Sequence, residues 1–281
     1  MLDKIRLIEI EINSYCNRKC SFCPNSFLNR SDNVDLDEDS YLNILNELHS
    51  IDYNNIISYS RYNEPMSNPT LFKKRVKQAK EILPNAKLVS NTNGDYFNDI
   101  NICELLIDEL TIMDYDCKGE TYYIDKLNKM ININITSVEY PFIKAKYKEM
   151  NILIFCDWLK HVELEDRGGS LLPLSTINDI DVKWKGDRGI RNKPCLEPKY
   201  FVGIDYTGSV VPCCHIRSDN KHHRDYILGN INDNSLNDVL NSKKAIEFRK
   251  SAINMDFKLP CIHCHKEPGR YTKDNPNMKY N

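Results

Sequence analysis

A chain of 281 residues has the length to bury roughly three quarters of the surface its unfolded form exposes, as one large domain or a domain with an appendage. Hydrophobic residues at 41%, charged residues at 28% and aromatics at 10% lie near globular averages, which excludes general disorder. Thirty-eight Lys and Arg against forty Asp and Glu leave a net charge of -2, so neither nucleic acid nor an anionic membrane is expected as a partner.

The opening alternation IRLIEIEI predicts a first strand over Ile5–Ile12, and apolar residues at helical spacing in DLDEDSYLNILNELHS predict a helix from near Asp35. A second strand is expected at Asn55–Ser60, a helix at Thr70–Leu83 and a third strand at Ala86–Ser90. The pattern continues with a helix at Asp99–Ile107, a strand at Glu109–Met113 and a helix at Glu120–Met130. A strand at Ile133–Val138, a helix at Phe142–Trp158 and a strand at His161–Glu165 complete six strands alternating with helices. Such alternation is the signature of a parallel α/β sheet, here closed or partly closed into a barrel. Pro, Gly and charged residues then run from Arg167 to Arg191 without helical period, and a domain boundary is expected there. Beyond it, Phe201–Tyr206 and Ser209–Val211 flank Thr207-Gly208 as a hairpin, and a helix is expected from Ser235 to about Ser251. No apolar run reaches the roughly twenty residues of a membrane span, and the first residues read as a strand where a signal peptide would carry an apolar core, so a cytoplasmic location is expected.

Eleven cysteines have no disulfide role in a reducing compartment, so their spacing must be read for metal or redox chemistry. Cys16, Cys20 and Cys23 form C-x3-C-x2-C directly after the first strand. Three thiolates are one short of the usual four for zinc or an iron-sulfur cluster, which leaves a coordination position open to a small molecule. Cys195, Cys213, Cys261 and Cys264 make a second set, of four, which by ligand count alone permits structural zinc or a fully ligated [4Fe-4S] cluster. Cys214 adjoins Cys213 and could bind by spacing in its place. Cys103, Cys117 and Cys156 are expected as small buried residues, and His215, His222, His223, His263 and His265 as surface residues of polar loops.

The first loop, with Phe22 before its last cysteine, resembles the C-x3-C-x-aromatic-C signature of the radical S-adenosylmethionine (SAM) superfamily. Two further segments resemble that family. Asn63-Glu64-Pro65 is similar to its GEP motif, which holds the SAM amino group, with Asn in place of Gly; Asn is among the few residues that tolerate left-handed backbone. Ser90-Asn91-Thr92-Asn93-Gly94 is similar to its TNG segment, which implies Asn91 and Asn93 facing SAM. By the same resemblance Ser137 and Glu139 approach the SAM ribose or carboxylate, and Arg167 lies near the substrate with Tyr62 and Arg61 as further candidates. All these segments fall at C-terminal strand ends, where barrel enzymes place their chemistry.

The region from Cys195 to Cys264 resembles the Twitch domain, a short relative of the SPASM domain. The resemblances together imply a partial (β/α)6 TIM-type barrel over residues 1–169, a linker over 170–194, a small α+β iron-sulfur domain over 195–267 and a polar tail over 268–281. They imply two [4Fe-4S] clusters, one binding SAM through Cys16, Cys20 and Cys23, the other auxiliary on Cys195, Cys213, Cys261 and Cys264. They also imply a one-electron reductant such as flavodoxin or ferredoxin. The expected reaction starts from a 5'-deoxyadenosyl radical that abstracts a substrate C-H hydrogen and ends with an electron on the auxiliary cluster, oxidising a sugar or aminocyclitol alcohol. Modification of a peptide is the alternative; only fifteen residues precede Cys16, so the leader-binding module of many peptide-modifying members is not expected. A non-catalytic zinc scaffold is the alternative from another class.

Overall fold

The computed structural model describes residues 1–26, 28, 30, 33–164, 167, 170, 171, 183, 184 and 190–264. Its strands are β1 (Leu7–Ile10), β2 (Ile56–Ser58), β3 (Lys87–Thr92), β4 (Glu109–Met113), β5 (Asn134–Glu139), β6 (Phe142–Tyr147), β7 (Met150–Phe155), β8 (Glu163–Leu164), β9 (Lys183–Trp184), β10 (Phe201–Ile204), β11 (Ser209–Val211) and β12 (Gly229–Asn230). Ten of them form one sheet in the order β12-β11-β10-β1-β2-β3-β4-β7-β6-β5. The six from β10 to β7 run parallel, and an antiparallel pair extends the sheet at each end. This is the parallel-rich sheet expected, with strand membership that differs in two places.

The first difference is residues 142–158, expected as a helix. They form the hairpin β6–β7, with Tyr147 paired to Met150 across a turn in which Lys148 takes a left-handed φ of 51°. Ile143 and Ala145 are buried and Lys144 and Lys146 are not, so a period of two governs the segment despite its helix-forming Lys and Glu. As a result β5, expected as a parallel barrel strand, pairs antiparallel with β6 and becomes the exposed outer edge. The second difference is the sixth parallel strand. It is β10, paired with β1, whereas the segment expected at 161–165 contributes only β8, which pairs with β9 in a separate two-stranded sheet. The hairpin of the appended region is thus continuous with the barrel sheet.

Strand alternation sorts the side chains. Ile8, Ile10, Ile57, Leu88, Leu110, Ile112, Ile152 and Ile154 join the large core under the helices. The opposite face carries Leu7, Ile56, Val89 and Phe201 toward the strand starts, and Glu9, Ser58, Asn91 and Thr111 toward their C-terminal ends. The polar end of the concave face is therefore written into the strand sequences.

The helices are α1 (Glu38–His49), α2 (Pro69–Ile82), α3 (Gly119–Met130), α4 (Trp158–His161), α5 (Glu197–Tyr200), α6 (Leu236–Asn241) and α7 (Lys243–Asn254). Asp37 caps α1 by accepting from the Ser40 amide, and Asn68 caps α2 ahead of Pro69. The helix expected at 99–107 is a single 3-10 turn, Ile102–Glu104, opened by the Asn101 side chain. The helix expected from Ser235 is two, because the Ser242 hydroxyl accepts from the Ala245 amide and restarts the chain as α7. No helix among the described residues is long and apolar enough to cross a membrane.

Candidate functional site

The loop after β1 carries Cys16, Cys20 and Cys23, all half-buried. Burial pushes the Cys16 thiol up to about 12, with the charges of Glu64, Cys23 and Cys20 adding to it; burial and then Cys23 push Cys20 up to about 11. The raised thiols of Cys16 and Cys20 would ionise there against a cationic centre. Among the described residues no three His, Cys, Asp or Glu side chains converge as ligands of a single ion. A [4Fe-4S] cluster takes each thiolate on its own iron, which the C-x3-C-x2-C spacing allows.

Hydrogen bonds knit the neighbouring motifs to that loop. The Glu64 amide donates to the Tyr15 carbonyl at 2.8 Å, one residue before Cys16. The Glu64 carboxylate, fully buried, accepts from Thr92 Oγ1 at 2.8 Å, the Asn93 amide at 2.9 Å and the Met66 amide at 3.2 Å. Burial outweighs these bonds and pushes Glu64 up to about 7. Asn93 Nδ2 in turn donates to Asn17 Oδ1 at 2.9 Å, and Arg18 on the loop pairs with Asp95 and Asp116. Asn63, Glu64 and Asn93 are thus brought against the cysteine loop. Asn63 does not use left-handed backbone, as expected of a Gly replacement; its Oδ1 accepts from the Arg61 amide and shapes the turn through the side chain. Asn91 sits on the concave face of β3, its amide bonded to Ser60 Oγ. Phe22 packs in an aromatic cluster, 4.9 Å from Trp158 and 5.1 Å from Tyr115 between ring centres.

Ser137 lies on the outer edge strand β5, in register with Asn91 but four strands away, and its hydroxyl donates to Glu139. Strand spacing puts it about 19 Å from Asn91 along the sheet. Glu139 pairs with Phe142, which packs in the aromatic cluster that also takes Cys20 and Cys23. The hydroxyl of Tyr62, a candidate for the substrate side, donates to the Cys214 carbonyl at 2.7 Å, and burial pushes it up to about 12. Arg167, with a left-handed φ of 51°, stands close enough for its charge to reach both Tyr62 and Tyr115. Glu165, Asp166, Gly168 and Gly169 beside it lie outside the described residues, as do His265 and the tail.

The second cysteine set lines a cavity of about 350 Å³ together with His215, Tyr226, Phe248 and Phe257. Burial drives Cys213 far above its ordinary range, and Cys214, Cys261, Cys264 and Cys195 each add to the shift. Burial, then Cys264 and Cys195, push Cys261 up to about 12. Four thiols around one mostly apolar cavity fit a closed iron-sulfur shell. Cys213 lines it and Cys214 does not. Arg191 clamps the rim, donating to the carbonyls of Cys264, Lys193 and Pro194. His215 and His223 are buried, against the surface role expected of them, whereas Cys103 is exposed.

Between the two sets lies a charge network that motif reading missed. Glu11, with no exposure, takes Arg30 Nη1 at 2.8 Å, and its Oε1 also accepts from the Tyr62 amide. Arg30 reaches on to Asp219 at 2.8 Å, Arg217 pairs with Asp219 at 2.5 Å, and Arg61 faces Glu9 and Glu11. Burial opposes charge on Glu11, but Arg30 and Arg61 hold its carboxyl below the usual range. The signal was present in IEIEI, where alternation sets Glu9 and Glu11 on the concave face of a buried strand. Arg61 Nη2 donates to the carbonyls of Cys213 and Ile216, so the network ends on the loop that carries a ligand of the second set.

A partial barrel with an open three-thiol loop at its strand ends, extended by a closed four-thiol cavity, has the architecture of a radical SAM enzyme with an auxiliary iron-sulfur domain. Residues 195–265 match the SPASM family, an iron-sulfur cluster-binding domain. The chain is 28% identical over 254 residues to the S-adenosyl-L-methionine-dependent 2-deoxy-scyllo-inosamine dehydrogenase of Niallia circulans, covering 89% of this chain and 88% of that protein. Its fold matches the crystal structure of BtrN in complex with AdoMet and 2-DOIA, with a TM-score of 0.67, 22% identity and 93% of each chain covered. It also matches Streptococcus suis SuiB bound to precursor peptide SuiA, with a TM-score of 0.52, 12% identity, and 88% of this chain and 67% of that one covered. At these identities the two structural matches speak to the fold alone.

Proposed function

We propose that this chain is a radical SAM dehydrogenase that oxidises a secondary alcohol of an aminocyclitol or related sugar to a ketone. When bound, SAM and the first cluster supply a radical that removes a carbon-bound hydrogen atom, and the auxiliary cluster accepts one electron. The observation that carries the reading is that one sheet carries the first thiol loop after β1 and Cys213 of the second set after β11, with the Arg61-Tyr62 pair, next to the Asn63-Glu64-Pro65 turn, bonded to the carbonyls of Cys213 and Cys214. The similarity to a 2-deoxy-scyllo-inosamine dehydrogenase over nearly the whole chain supports the substrate class.

In this reading Cys16, Cys20 and Cys23 hold the SAM-binding cluster, and Glu64, Asn63, Asn91 and Asn93 line the SAM side of the cleft. Phe22 supports the loop from beneath through its ring contacts. Arg167 offers a planar donor fork for the oxygen of a substrate hydroxyl and favours the oxyanion that forms as the hydroxyl proton passes to solvent. Its own pKa disqualifies it as the base. Tyr62 serves as a tether between the two halves. A one-electron reductant, of the flavodoxin or ferredoxin class, would feed the first cluster.

The test is SAM cleavage and ketone formation with 2-deoxy-scyllo-inosamine as probe, using the reconstituted chain and dithionite. The wild type should form 5'-deoxyadenosine and ketone together. Cys16→Ala should abolish both, and Cys261→Ala should leave uncoupled cleavage without ketone. Full ketone yield from Cys261→Ala would refute an essential auxiliary cluster.

A further inference from the structure

His215 stands out among the residues around the second cavity. It is 5% exposed, lines the cavity with the four cysteines, and its Nδ1 lies 3.6 Å from Cys264 Sγ. Its backbone is held on both sides: Tyr62 donates to the Cys214 carbonyl, and Arg61 to those of Cys213 and Ile216. These bonds fix where the imidazole stands relative to the sulfur, although His215 and Cys264 are far apart in sequence.

We propose that His215 donates a hydrogen bond from Nδ1 to the Cys264 sulfur and thereby raises the reduction potential of the auxiliary cluster, suiting it to accept an electron. The inference rests on the auxiliary-cluster reading above. A cysteine bound to iron has lost its proton, so its sulfur only accepts, and Nδ1 must then carry the hydrogen; the neutral Nδ1-H tautomer suffices. Reduction adds one electron to the cluster and increases the negative charge on its sulfurs, so the bond strengthens in the reduced form and shifts the equilibrium toward it. His215 is a positioning and tuning residue and does not touch substrate.

Three full-length proteins, wild type, His215→Phe and His215→Asn, are reconstituted anaerobically, assayed for iron and titrated with dithionite while EPR follows each cluster. Phe fills the space without a donor, whereas the Asn amide nitrogen occupies nearly the place of Nδ1. His215→Phe should lower the reduction equilibrium constant of the auxiliary cluster by roughly tenfold, equivalent to 59 mV for one electron. His215→Asn should restore most of it, and the SAM-binding cluster should not move. In wild type labelled with 15N-histidine, the reduced auxiliary cluster should show a weak nitrogen hyperfine coupling, a readout that survives even if His215→Phe loses iron. An unshifted potential in iron-replete His215→Phe, or no nitrogen coupling in the labelled wild type, would overturn the proposal. Four irons per wild-type chain would instead withdraw the auxiliary cluster, and this inference with it.

Discussion

Replacing Glu11 by Gln asks whether the buried charge network holds the two halves of the site together. The network balances three cations, Arg30, Arg61 and Arg217, against three anions, Glu9, Glu11 and Asp219. Gln keeps the shape and an acceptor for the Tyr62 amide but leaves one buried positive charge without a counterpart. With side-chain exposures of 4% for Arg30 and 1% for Arg61, water cannot take over that role. Breaking such a buried pair costs about 3–5 kcal/mol, a large share of the roughly 5–15 kcal/mol that holds a domain folded. For a chain of this size that corresponds to a fall in Tm of about 6–10 °C. Thermal unfolding of the apo chain at pH 7, followed by circular dichroism, measures it. Lys74→Met is the control: its pair with Glu38 is of similar length, but at 52% and 38% exposure it should contribute at most about 1 kcal/mol. A Glu11→Gln protein that melts within 2 °C of the wild type, about the control's shift, would refute the reasoning.

Glu64 gives a pH dependence. Its folded pKa of about 7 stands above the ordinary 4.5, so the folded chain retains a proton there that the unfolded chain releases. That contribution is fully present below 4.5 and lost as pH rises through 7, roughly 3 kcal/mol across the window. The stability difference between wild type and Glu64→Gln, measured by urea unfolding of apo protein at pH 5 and pH 8, should therefore shrink or change sign toward pH 8; a difference independent of pH would contradict the assignment. Ser137→Ala should leave SAM affinity within about twofold of wild type by calorimetry, because its hydroxyl is held by Glu139 and stands about 19 Å along the sheet from Asn91. A tenfold loss would bring that strand into the site.

The parallel alternation was legible because Ile-rich strands and the capped helices α1 and α2 follow their own periods, the 99–107 segment apart, and the thiol sets were legible from cysteine spacing and the resemblance it carries, the choice between Cys213 and Cys214 apart. Residues 142–155 were not, since FIKAKYKEMNILIF mixes strong helix formers with a two-residue period, and only pairing with β4 and β5 decides for strand. The pairing of β10 with β1 joins residues nearly two hundred apart, which no local pattern encodes. The same long-range closure brings Arg217 and Asp219 to Arg30 and Glu11, and His215 to Cys264. Motif residues declare themselves by spacing; the charges between the motifs declare themselves only after folding.

On the proposed function the two thiol sets hold two iron-sulfur clusters of different kind. Iron, sulfide and zinc per polypeptide, measured on protein purified and reconstituted without oxygen, decide this. About eight irons with matching sulfide are expected, as two [4Fe-4S] clusters require. About four irons with one zinc would remove the electron acceptor and with it the dehydrogenase reading, and zinc without iron would rule out radical chemistry at the first loop.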